Sequence, residues 1–323
     1  MDNTFAPLAK LEFTDLLIGP ELFEMRGLKG SSGGFVPAPE HVKDDIVRLH
    51  SLCRTIAAEQ GRHEFAVEKD SVRYRVTMVS DVRNNDIFIL CKVERVVRDF
   101  DTLPFPDRVR AHLLKPSLDG LVLVCGPMRA GKTSTASSLF VRRLELHGGF
   151  GLTIEDPPEL ELNGPHGAGR AVQVEVIRER GGYYEQLVRS LRSRADQALV
   201  GEIREPSAAV EVLQVSATGW PIITTIHAES IEQCFAKLHG LCQALGTPES
   251  VNAMIASAVT AVIHLKLVTA ADRSGHVRRL IATTLILDGG EDTTSIRAKI
   301  RKGDFASLKT EIEAQQNSDT WGP

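Results

Sequence analysis

The segment Leu121–Phe140, LVLVCGPMRAGKTSTASSLF, decides the fold of this chain. Its first five residues are apolar, which is typical of a strand that is buried on both faces. They lead directly into residues 126–133, GPMRAGKT, a complete GxxxxGK[ST] phosphate loop. An apolar stripe of Leu139, Val141 and Leu144 then predicts a helix. Because strand, glycine loop and helix follow one another in the order that this motif requires, we predict a nucleotide site here.

The chemistry of the loop predicts ATP and Mg²⁺ as its ligands. Backbone N–H groups of such a loop close around a phosphate, and the N-terminus of the following helix adds partial positive charge. Lys132 is predicted to reach the β- and γ-phosphates, and the Thr133 hydroxyl is predicted to help hold Mg²⁺. The residues predicted to bind the nucleotide are Gly126, Pro127, Met128, Arg129, Ala130, Gly131, Lys132, Thr133 and Ser134.

The composition is that of an ordinary globular protein. The 323 residues are 42% hydrophobic and 25% charged, which is enough for two domains with a substantial core. No apolar run approaches the roughly 18 residues of a membrane span, and the first residues, MDNTFAPLAKLEF, lack the layout of a secretory signal. The five cysteines include no CxxC pair, which favours buried free thiols in a reducing cytosol. A net charge of −4 argues against a protein that coats nucleic acid.

Residues 1–105 are predicted to form a small N-terminal α+β domain. A helix with apolar residues at helical spacing starts near Glu40 and ends at Gly61. Two alternating, β-rich runs follow, Ser71–Val79 and Asp86–Val93, and the asparagines between them predict a hairpin turn. The sequence GLKGSSGGFVPAPE, which precedes the helix, is interpreted as a loop.

A linker is predicted at 106–118 and a second domain at 119–323. Residues 99–118 hold three prolines around a short amphipathic helix, so we place the domain boundary near residue 105. From Leu121 onward, strands and helices alternate, which predicts a mostly parallel sheet covered by helices, then two helices, a hairpin and a C-terminal helix. The alternating elements are strands at Phe150–Glu155, Gln197–Gly201 and Pro221–His227 and a helix at Tyr183–Arg194.

Two glutamates follow strands of this predicted sheet. Glu155 ends GLTIE and Glu202 follows ALVG, so each is expected at the carboxyl edge, where phosphates bind. Hydrolysis needs one carboxylate near Mg²⁺ and one that orients or deprotonates water. A single glutamate at such a position is more often a solvated surface residue, but two of them beside a phosphate loop favour the catalytic interpretation. Gly201 stands where an ordinary ATPase of this class has Asp.

His227 ends a further predicted strand, PIITTIH. A lone histidine at a strand end is more often merely hydrogen-bonded than functional. In this fold, however, the end of that strand would lie near the γ-phosphate. We therefore keep two interpretations of His227, a structural histidine and a sensor of the γ-phosphate.

Four motifs, in this order, resemble the motif series of the secretion and pilus traffic ATPases. They are GPMRAGKT at 126–133, TIEDPPE at Thr153–Glu159, LRSRADQALVGEIRE at Leu191–Glu205 and TTIHAES at Thr224–Ser230. In that family they are the Walker A loop, an acidic Asp box, a glycine–glutamate Walker B and a His box. The resemblance implies an α/β fold with a RecA-like P-loop ATPase domain and a smaller N-terminal PAS-like α+β domain, assembled as a ring of six.

The resemblance also implies roles for the acidic residues and the histidine. Glu202 would be the Walker B glutamate, and His227 would be the His-box residue. Glu155 would form the Asp box together with Asp156 and Glu159. Which of Glu202 and Glu155 is the base and which serves the metal stays open, so both join Thr133 as predicted metal ligands.

Arginines are the second group of residues to which the resemblance gives a role. Arg192 and Arg204 match arginines next to Walker B, and Arg73 and Arg75 match N-domain arginines that reach the nucleotide. The alternative for Arg73 and Arg75 is the solvated face of an alternating strand. A second sensing arginine is expected after the hairpin, and its candidates are Lys92, Arg95 and Arg98.

Two departures from the family pattern concern the site itself. The loop reads PMRA where the family usually has P-T-G-S, so Arg129 adds a charge above the phosphates. The acidic-proline sequence that is usual before Walker B is here Arg194-Ala195-Asp196, which leaves the geometry of that loop open.

The function implied by the resemblance is that of a hexameric, Mg²⁺-dependent ATPase. It would convert ATP hydrolysis into conformational work for a type IV secretion/conjugation or type IV pilus machine. Its implied partners are copies of itself and an inner-membrane platform protein, with a cytoplasmic location peripheral to the inner membrane. The absence of a tetracysteine zinc motif and of a long N-terminal extension argues against the type II secretion and pilus-extension branch. TIEDPPELEL and TTIHA favour the conjugation and type IV secretion branch, whereas VRYRV and the linker favour retraction-type and type IVB members, the group that we prefer.

Two alternative functions belong to other classes. One is a nucleotide-dependent assembly scaffold with little hydrolysis, and the other is a DNA-translocating motor of RecA-like fold. The acidic net charge and an aromatic content of 5% argue against stacking platforms for nucleic acid, so no direct nucleic-acid partner is expected.

Overall fold

The computed structural model describes residues 8–31, 34–93, 96–176, 182–272, 275–288 and 293–320. The chain divides into two compact units by its internal contacts. The first is Met1–Arg95 together with Asp156–Glu161, and the second is Val96–Glu155 together with Leu162–Pro323. This division falls before the boundary near residue 105 that the proline content indicates, and the position at which the domains articulate stays a prediction.

The first unit contains a six-stranded antiparallel sheet and one long helix. The strand order is β3-β2-β1-β6-β5-β4. Ile46, Leu49 and Cys53 of the helix are fully buried in one core with sheet residues such as Tyr74 and Phe88. The elements are β1 (Asp15–Ile18), β2 (Phe23–Arg26), β3 (Phe35–Pro37), α1 (Lys43–Gln60), β4 (Glu64–Lys69), β5 (Val72–Ser80) and β6 (Asp86–Lys92).

The predicted helix and hairpin are confirmed as α1, β5 and β6, but the segment predicted as a loop before the helix contains a three-residue strand. β1, β2 and β3 have only three or four residues each, and β3 lies inside GLKGSSGGFVPAPE. Runs this short carry no readable alternation. Their partners lie elsewhere in the chain, since Leu16 of β1 is opposite Leu90 of β6. β4 also has no counterpart among the predicted strands.

The second unit is built on an eight-stranded sheet of order β14-β13-β7-β12-β11-β8-β10-β9. All neighbouring pairs from β13 to β10 are parallel, and only β13–β14 and β10–β9 are antiparallel. The strands are β7 (Leu121–Gly126), β8 (Gly149–Glu155), β9 (Gly164–His166), β10 (Gly169–Glu175), β11 (Gln197–Glu202), β12 (Ile222–His227), β13 (Val259–Asp272) and β14 (Gly275–Ile286). The mostly parallel sheet and the late hairpin are therefore confirmed, whereas β9 and β10 were not predicted.

Helices cover this sheet, and all six residues of β7 are buried. Leu121, Leu123 and Cys125 belong to a core shared with residues of the helices that follow β11 and β12, and Val122 and Val124 between them are also fully buried. The helices are α2 (Asp107–Leu113), α3 (Lys132–His147), α4 (Gly182–Arg192), α5 (Pro206–Ser216), α6 (Ile231–Leu241), α7 (Pro248–Ala258), α8 (Thr293–Lys302) and α9 (Lys309–Thr320). Across the described residues, no helix combines the length and the apolar composition needed to cross a bilayer.

The segment predicted as a linker packs within the second unit. Its helix α2 buries Val109 and Leu113 completely. Arg143 of α3, which is itself 5% exposed, donates from Nη1 to the carbonyl oxygens of Leu113 at 2.8 Å and Lys115 at 2.9 Å. A cation at the C-terminal end of α2 also complements the helix dipole. These contacts fix α2 against α3.

Candidate functional site

The phosphate loop joins β7 to α3, as the motif predicts. After Gly126 the chain makes a turn closed by a 3.3 Å hydrogen bond from the Ala130 N–H to the Pro127 carbonyl. Gly131 has a φ of 87° and precedes the first residue of α3, Lys132. Gly126 is required by space as well as by conformation, because a Cβ there would lie 2.4 Å from the Leu265 carbonyl oxygen. Strand, loop and helix N-terminus thus form the geometry of an anion site.

Arg129 occupies a backbone position that suits glycine. Its φ is 63°, in the left-handed region. A residue with a Cβ pays a steric cost of about 1–2 kcal/mol in this conformation. The loop therefore adopts at Arg129 a backbone conformation that favours glycine.

The candidate residues at strand ends share one edge of the sheet. The parallel strands β7, β12, β11 and β8 are consecutive neighbours, and they end at Gly126, His227, Glu202 and Glu155. His227 lies directly opposite Gly126 in the register of β12 and β7. With about 4.8 Å between strands, Glu202 lies two strands from the phosphate loop and Glu155 lies three strands from it.

Lys132, His227 and Glu202 form a continuous chain of contacts. The Lys132 Nζ donates to the Pro127 carbonyl at 2.8 Å and lies 3.1 Å from His227 Nδ1. Because an ammonium group has no acceptor, Nδ1 must accept, and the ring is neutral with its proton on Nε2. Nε2 in turn lies 3.1 Å from Glu202 Oε1. Burial lowers the pKa of His227 from 6.5, and the positive charge of Lys132 lowers it further. The negative charge of Glu202 raises the pKa, but the net shift is downward, which is consistent with a neutral ring.

The two oxygens of Glu202 have different surroundings. Oε2 accepts from the Arg204 guanidinium at 2.5 Å. Oε1 is buried and has no well-aligned hydrogen bond among the described residues, although His227 Nε2 is near it. A buried carboxylate oxygen that lacks a well-aligned hydrogen bond is a place for a metal ion or a bound water.

Glu155 is held by a residue that sequence reasoning did not find. The Glu155 side chain is 2% exposed, and its Oε1 accepts a 2.8 Å hydrogen bond from Gln173 Nε2 on β10. The neighbouring Glu155 side chain explains why a glycine, Gly201, precedes Glu202. A Cβ at position 201 would lie 3.2 Å from Glu155 Cγ and 3.4 Å from Glu155 Cα. Glycine on β11 therefore leaves room for the carboxylate that ends β8.

The residues at this edge fit Mg²⁺ but not a metal held by protein ligands alone. Within the described residues, no group of three or more His, Cys, Asp or Glu side chains could hold a metal ion. Mg²⁺ usually binds one or two carboxylates or hydroxyls and completes its shell with water and substrate phosphates. Thr133, half-buried in the first turn of α3, the free oxygen of Glu202 and Glu155 are donors of that kind.

The arginines with predicted roles are distributed over both units. Arg192 is exposed in the last turn of α4. Arg73 and Arg75 lie on β5 of the first unit, where Arg75 forms an ion pair with Glu159 of the same unit. Their roles toward nucleotide stay predictions.

Of the three candidates for a second sensing residue, Lys92 already has a structural task. Its Nζ donates to the carbonyls of Ala9 and Leu11 at 3.3 and 2.6 Å, and it lies 4.3 Å from the centre of the Phe13 ring. Arg98 has an exposed side chain, and Arg95 lies outside the described residues.

Sequence comparison identifies relatives in bacterial competence and motility. The chain is similar to the competence protein ComGA of Streptococcus pneumoniae, with 33% identity over 184 residues, which cover 56% of this chain and 55% of that protein. It is also similar to a twitching motility protein of Neisseria gonorrhoeae, with 28% identity over 205 residues, which cover 61% of this chain and 54% of that protein. The chain thus spans about half the length of the curated relatives it matches.

Two solved structures have a fold similar to that of this chain. The crystal structure of the pilus retraction motor PilT with bound ADP matches 95% of this chain and 87% of that chain, with a TM-score of 0.76 and 21% identity. The ATPase DotB of Legionella pneumophila matches 93% of this chain and 84% of that chain, with a TM-score of 0.72 and 18% identity. These likenesses concern the fold alone, and they confirm the predicted class, a RecA-like P-loop domain with a smaller N-terminal α+β domain.

The family model described as type II/IV secretion system protein matches residues 57–304 of this chain. Since this match covers well over half of the residues and includes all four motifs, the protein belongs to the type II/IV secretion system protein family, which confirms the resemblance to secretion and pilus traffic ATPases.

Proposed function

We propose that this protein is a Mg²⁺-dependent ATPase that works as a hexameric motor of a type IV secretion/conjugation or type IV pilus machine. The observation that carries the proposal is the chain of contacts from Lys132 through His227 to Glu202 at the phosphate loop. It connects Lys132, the cation that would bind phosphate, with Glu202, a carboxylate that would bind the metal ion or orient water. Phosphoryl transfer needs a cation and a carboxylate in these roles. Membership of the secretion protein family supports the same reaction class.

Lys132 would exchange its present partners for phosphate oxygens. Its Nζ is shared between the Pro127 carbonyl and His227 Nδ1, and charge-assisted bonds to phosphate are stronger than either neutral contact. When Lys132 leaves His227, the imidazole loses the donor that orients Nδ1. The ring can then turn relative to Glu202, so the state of the phosphates would be communicated to the carboxylate.

The carboxylates and Thr133 would complete the site. Mg²⁺, when bound, would neutralise charge on the β- and γ-phosphates. Thr133 and one carboxylate, Glu202 or Glu155, would hold the ion. The other carboxylate would orient the attacking water and accept its proton, with His227 beside it as the sensor.

The assembly and the location are part of this proposal. The family resemblance supports a ring of six copies, a platform protein of the inner membrane as partner, and a cytoplasmic position peripheral to that membrane. The names of the relatives, which refer to competence, twitching motility and pilus retraction, support a machine that moves a fibre or a substrate. The arginines Arg73, Arg75 and Arg192 would stabilise charge on the transferring phosphate.

Two substitutions test the reaction. Lys132→Ala should abolish ATP binding and phosphate release, because the ammonium group that binds phosphate is lost. Glu202→Gln should still bind ATP but release phosphate at least ~10²-fold more slowly. Lys302→Ala, at the exposed end of α8, removes the same charge as a control and should leave turnover unchanged. Normal turnover in either site variant would contradict the proposal.

A nucleotide-dependent assembly scaffold with little hydrolysis is the second candidate. The ion pair of Glu202 with Arg204 favours it, because the guanidinium already occupies one of the two carboxylate oxygens that would act on water or metal. Steady-state phosphate release separates the candidates. Assembly that depends on ATP without turnover would support the scaffold, and sustained turnover would support the motor.

A further inference from the structure

Arg129, the fourth residue of the phosphate loop, stands where the backbone favours glycine. It is the third residue of the turn that the Ala130–Pro127 hydrogen bond closes, and its φ is 63°. A turn with positive φ at this place is adopted by glycine without steric cost and by arginine only with strain. The loop thus carries a long cationic side chain at a position that would be more stable without one.

The charge of Arg129 is available to a ligand. Its side chain is exposed and makes no hydrogen bond or ion pair with any residue in the described part of the chain. Lys132, the other cation of the loop, is 7% exposed and already contacts Pro127 and His227. The two cations of the loop therefore differ: Lys132 has partners inside the site, and Arg129 is open to solvent.

We infer that Arg129 is a second phosphate-binding cation of this nucleotide site, an inference that rests on the proposed function. The loop that carries Arg129 is built to close its backbone around phosphates, so a guanidinium on the loop is near any polyphosphate bound there. A guanidinium forms paired hydrogen bonds with phosphate oxygens. Because the attraction grows with the charge of the ligand, a nucleoside triphosphate gains more from Arg129 than a diphosphate does.

The test measures binding to the full chain by calorimetry, with AMP-PNP and ADP as probes, each with Mg²⁺. Arg129→Ala and Arg129→Gly should both weaken AMP-PNP binding about 10-fold and ADP binding less, as expected for the loss of a charge-assisted hydrogen bond. Arg129→Lys should retain part of the affinity, because it keeps the charge but loses the planar fork. The differences should decrease as salt rises from about 50 to about 300 mM, since screening weakens exposed charge pairs.

Two control measurements show whether weaker binding comes from loss of the Arg129 charge rather than from lower stability or from loss of any positive charge on the chain. Arg129→Gly should melt at or above the temperature of the wild type because glycine relieves the strain, so its weaker binding could not be attributed to unfolding. Arg301→Ala, on the exposed face of α8, removes an equal charge and should bind both probes as the wild type does.

Two outcomes would overturn the inference in different ways. If Arg129→Ala and Arg129→Gly bind AMP-PNP as tightly as the wild type, Arg129 does not contact phosphate, while the proposed function stands. If the wild type binds neither probe and Lys132→Ala behaves identically, the proposed function itself fails and this inference fails with it.

Discussion

Glu202 and Glu155 end neighbouring parallel strands, yet their surroundings differ. The Glu202 side chain is 15% exposed and lies between the Arg204 guanidinium and His227. Glu155 is 2% exposed and accepts a hydrogen bond from the neutral amide of Gln173. Glu202 is thus connected through His227 to Lys132, which would bind phosphate, whereas the hydrogen bond from Gln173 holds Glu155 in position. Glu202 on β11 is therefore the carboxylate that can respond to phosphate binding, and Glu155 on β8 is the more rigidly held one.

Exchanging each carboxylate for its amide should have the largest effect. We expect Glu202→Gln to lower kcat at least ~10²-fold, because it removes a negative charge that lies beside both His227 and Arg204. Glu155→Gln should lower kcat only about 10-fold if Glu155 serves the metal, because the amide keeps an oxygen that can still bind the ion. Phosphate release at saturating ATP measures both. The reverse order would place the reacting oxygen on Glu155 and leave Glu202 as an ion-pair partner.

Gln173 should have the next largest effect. Gln173→Leu leaves Glu155 Oε1 buried without this donor, which should lower the free energy of unfolding by about 1–3 kcal/mol. Turnover should fall several-fold because Glu155 is less well positioned. Gln316→Leu, an exposed amide on α9, is the control and should change stability by less than about 0.5 kcal/mol.

A double-mutant cycle measures the energy of the hydrogen bond between Gln173 and Glu155. Gln173→Leu also removes the acceptor of the Leu162 N–H, which lies 3.3 Å from the amide oxygen. Glu155→Leu removes the acceptor of the bond that Gln173 Nε2 donates, so Gln173→Leu and Glu155→Leu together should cost less than the sum of each alone. Strict additivity would show that Gln173 does not hold the carboxylate.

The same two glutamates show how much of the site a sequence can predict. A buried apolar run followed by a polar residue marks the end of a parallel strand, so the shared edge of Glu155 and Glu202 follows from local pattern. Gln173 has no such signal: it lies on β10, which was not predicted, and it meets Glu155 only through the parallel register of β10 and β8. The contact of Lys132 with His227 likewise depends on the register of β12 against β7.

The two sheets likewise differ in how much of their structure the sequence predicts. β7 has six buried residues, and its apolar run is readable without knowing any neighbour. β1 has four residues and is stabilised on one side by β6, far away along the chain. Strand propensity over so few residues is weaker than the packing that the partner supplies. The parallel sheet was therefore predictable in outline, whereas four of the six strands of the antiparallel sheet were not.

The pH dependence of His227 should give the smallest effect on stability. Burial lowers its pKa below 6.5, the Glu202 charge raises it, and the charges of Lys132, Lys237 and Arg204 lower it further. Since the pKa is lower in the folded state than in the unfolded chain, the stability that neutral His227 contributes is present above about pH 6.5 and is lost as the pH falls through the folded pKa. The wild type should therefore lose more stability on acidification than His227→Gln, in chemical denaturation at about pH 8 and about pH 5.

Titration of the His227 ring by NMR tests which charges shift its pKa, and it distinguishes Glu202 from Glu155. Lys132→Ala should raise the pKa of His227, because a positive charge 3.1 Å from Nδ1 disappears. Glu202→Gln should lower the pKa, because the negative charge near Nε2 is lost, while Glu155→Gln should leave it nearly unchanged. A wild-type titration midpoint well above neutral pH would show that the charge of Glu202 outweighs burial and that the ring is cationic at neutral pH. In that case Lys132 could not donate to Nδ1, and the chain of contacts that joins the phosphate loop to β11 would not exist in solution.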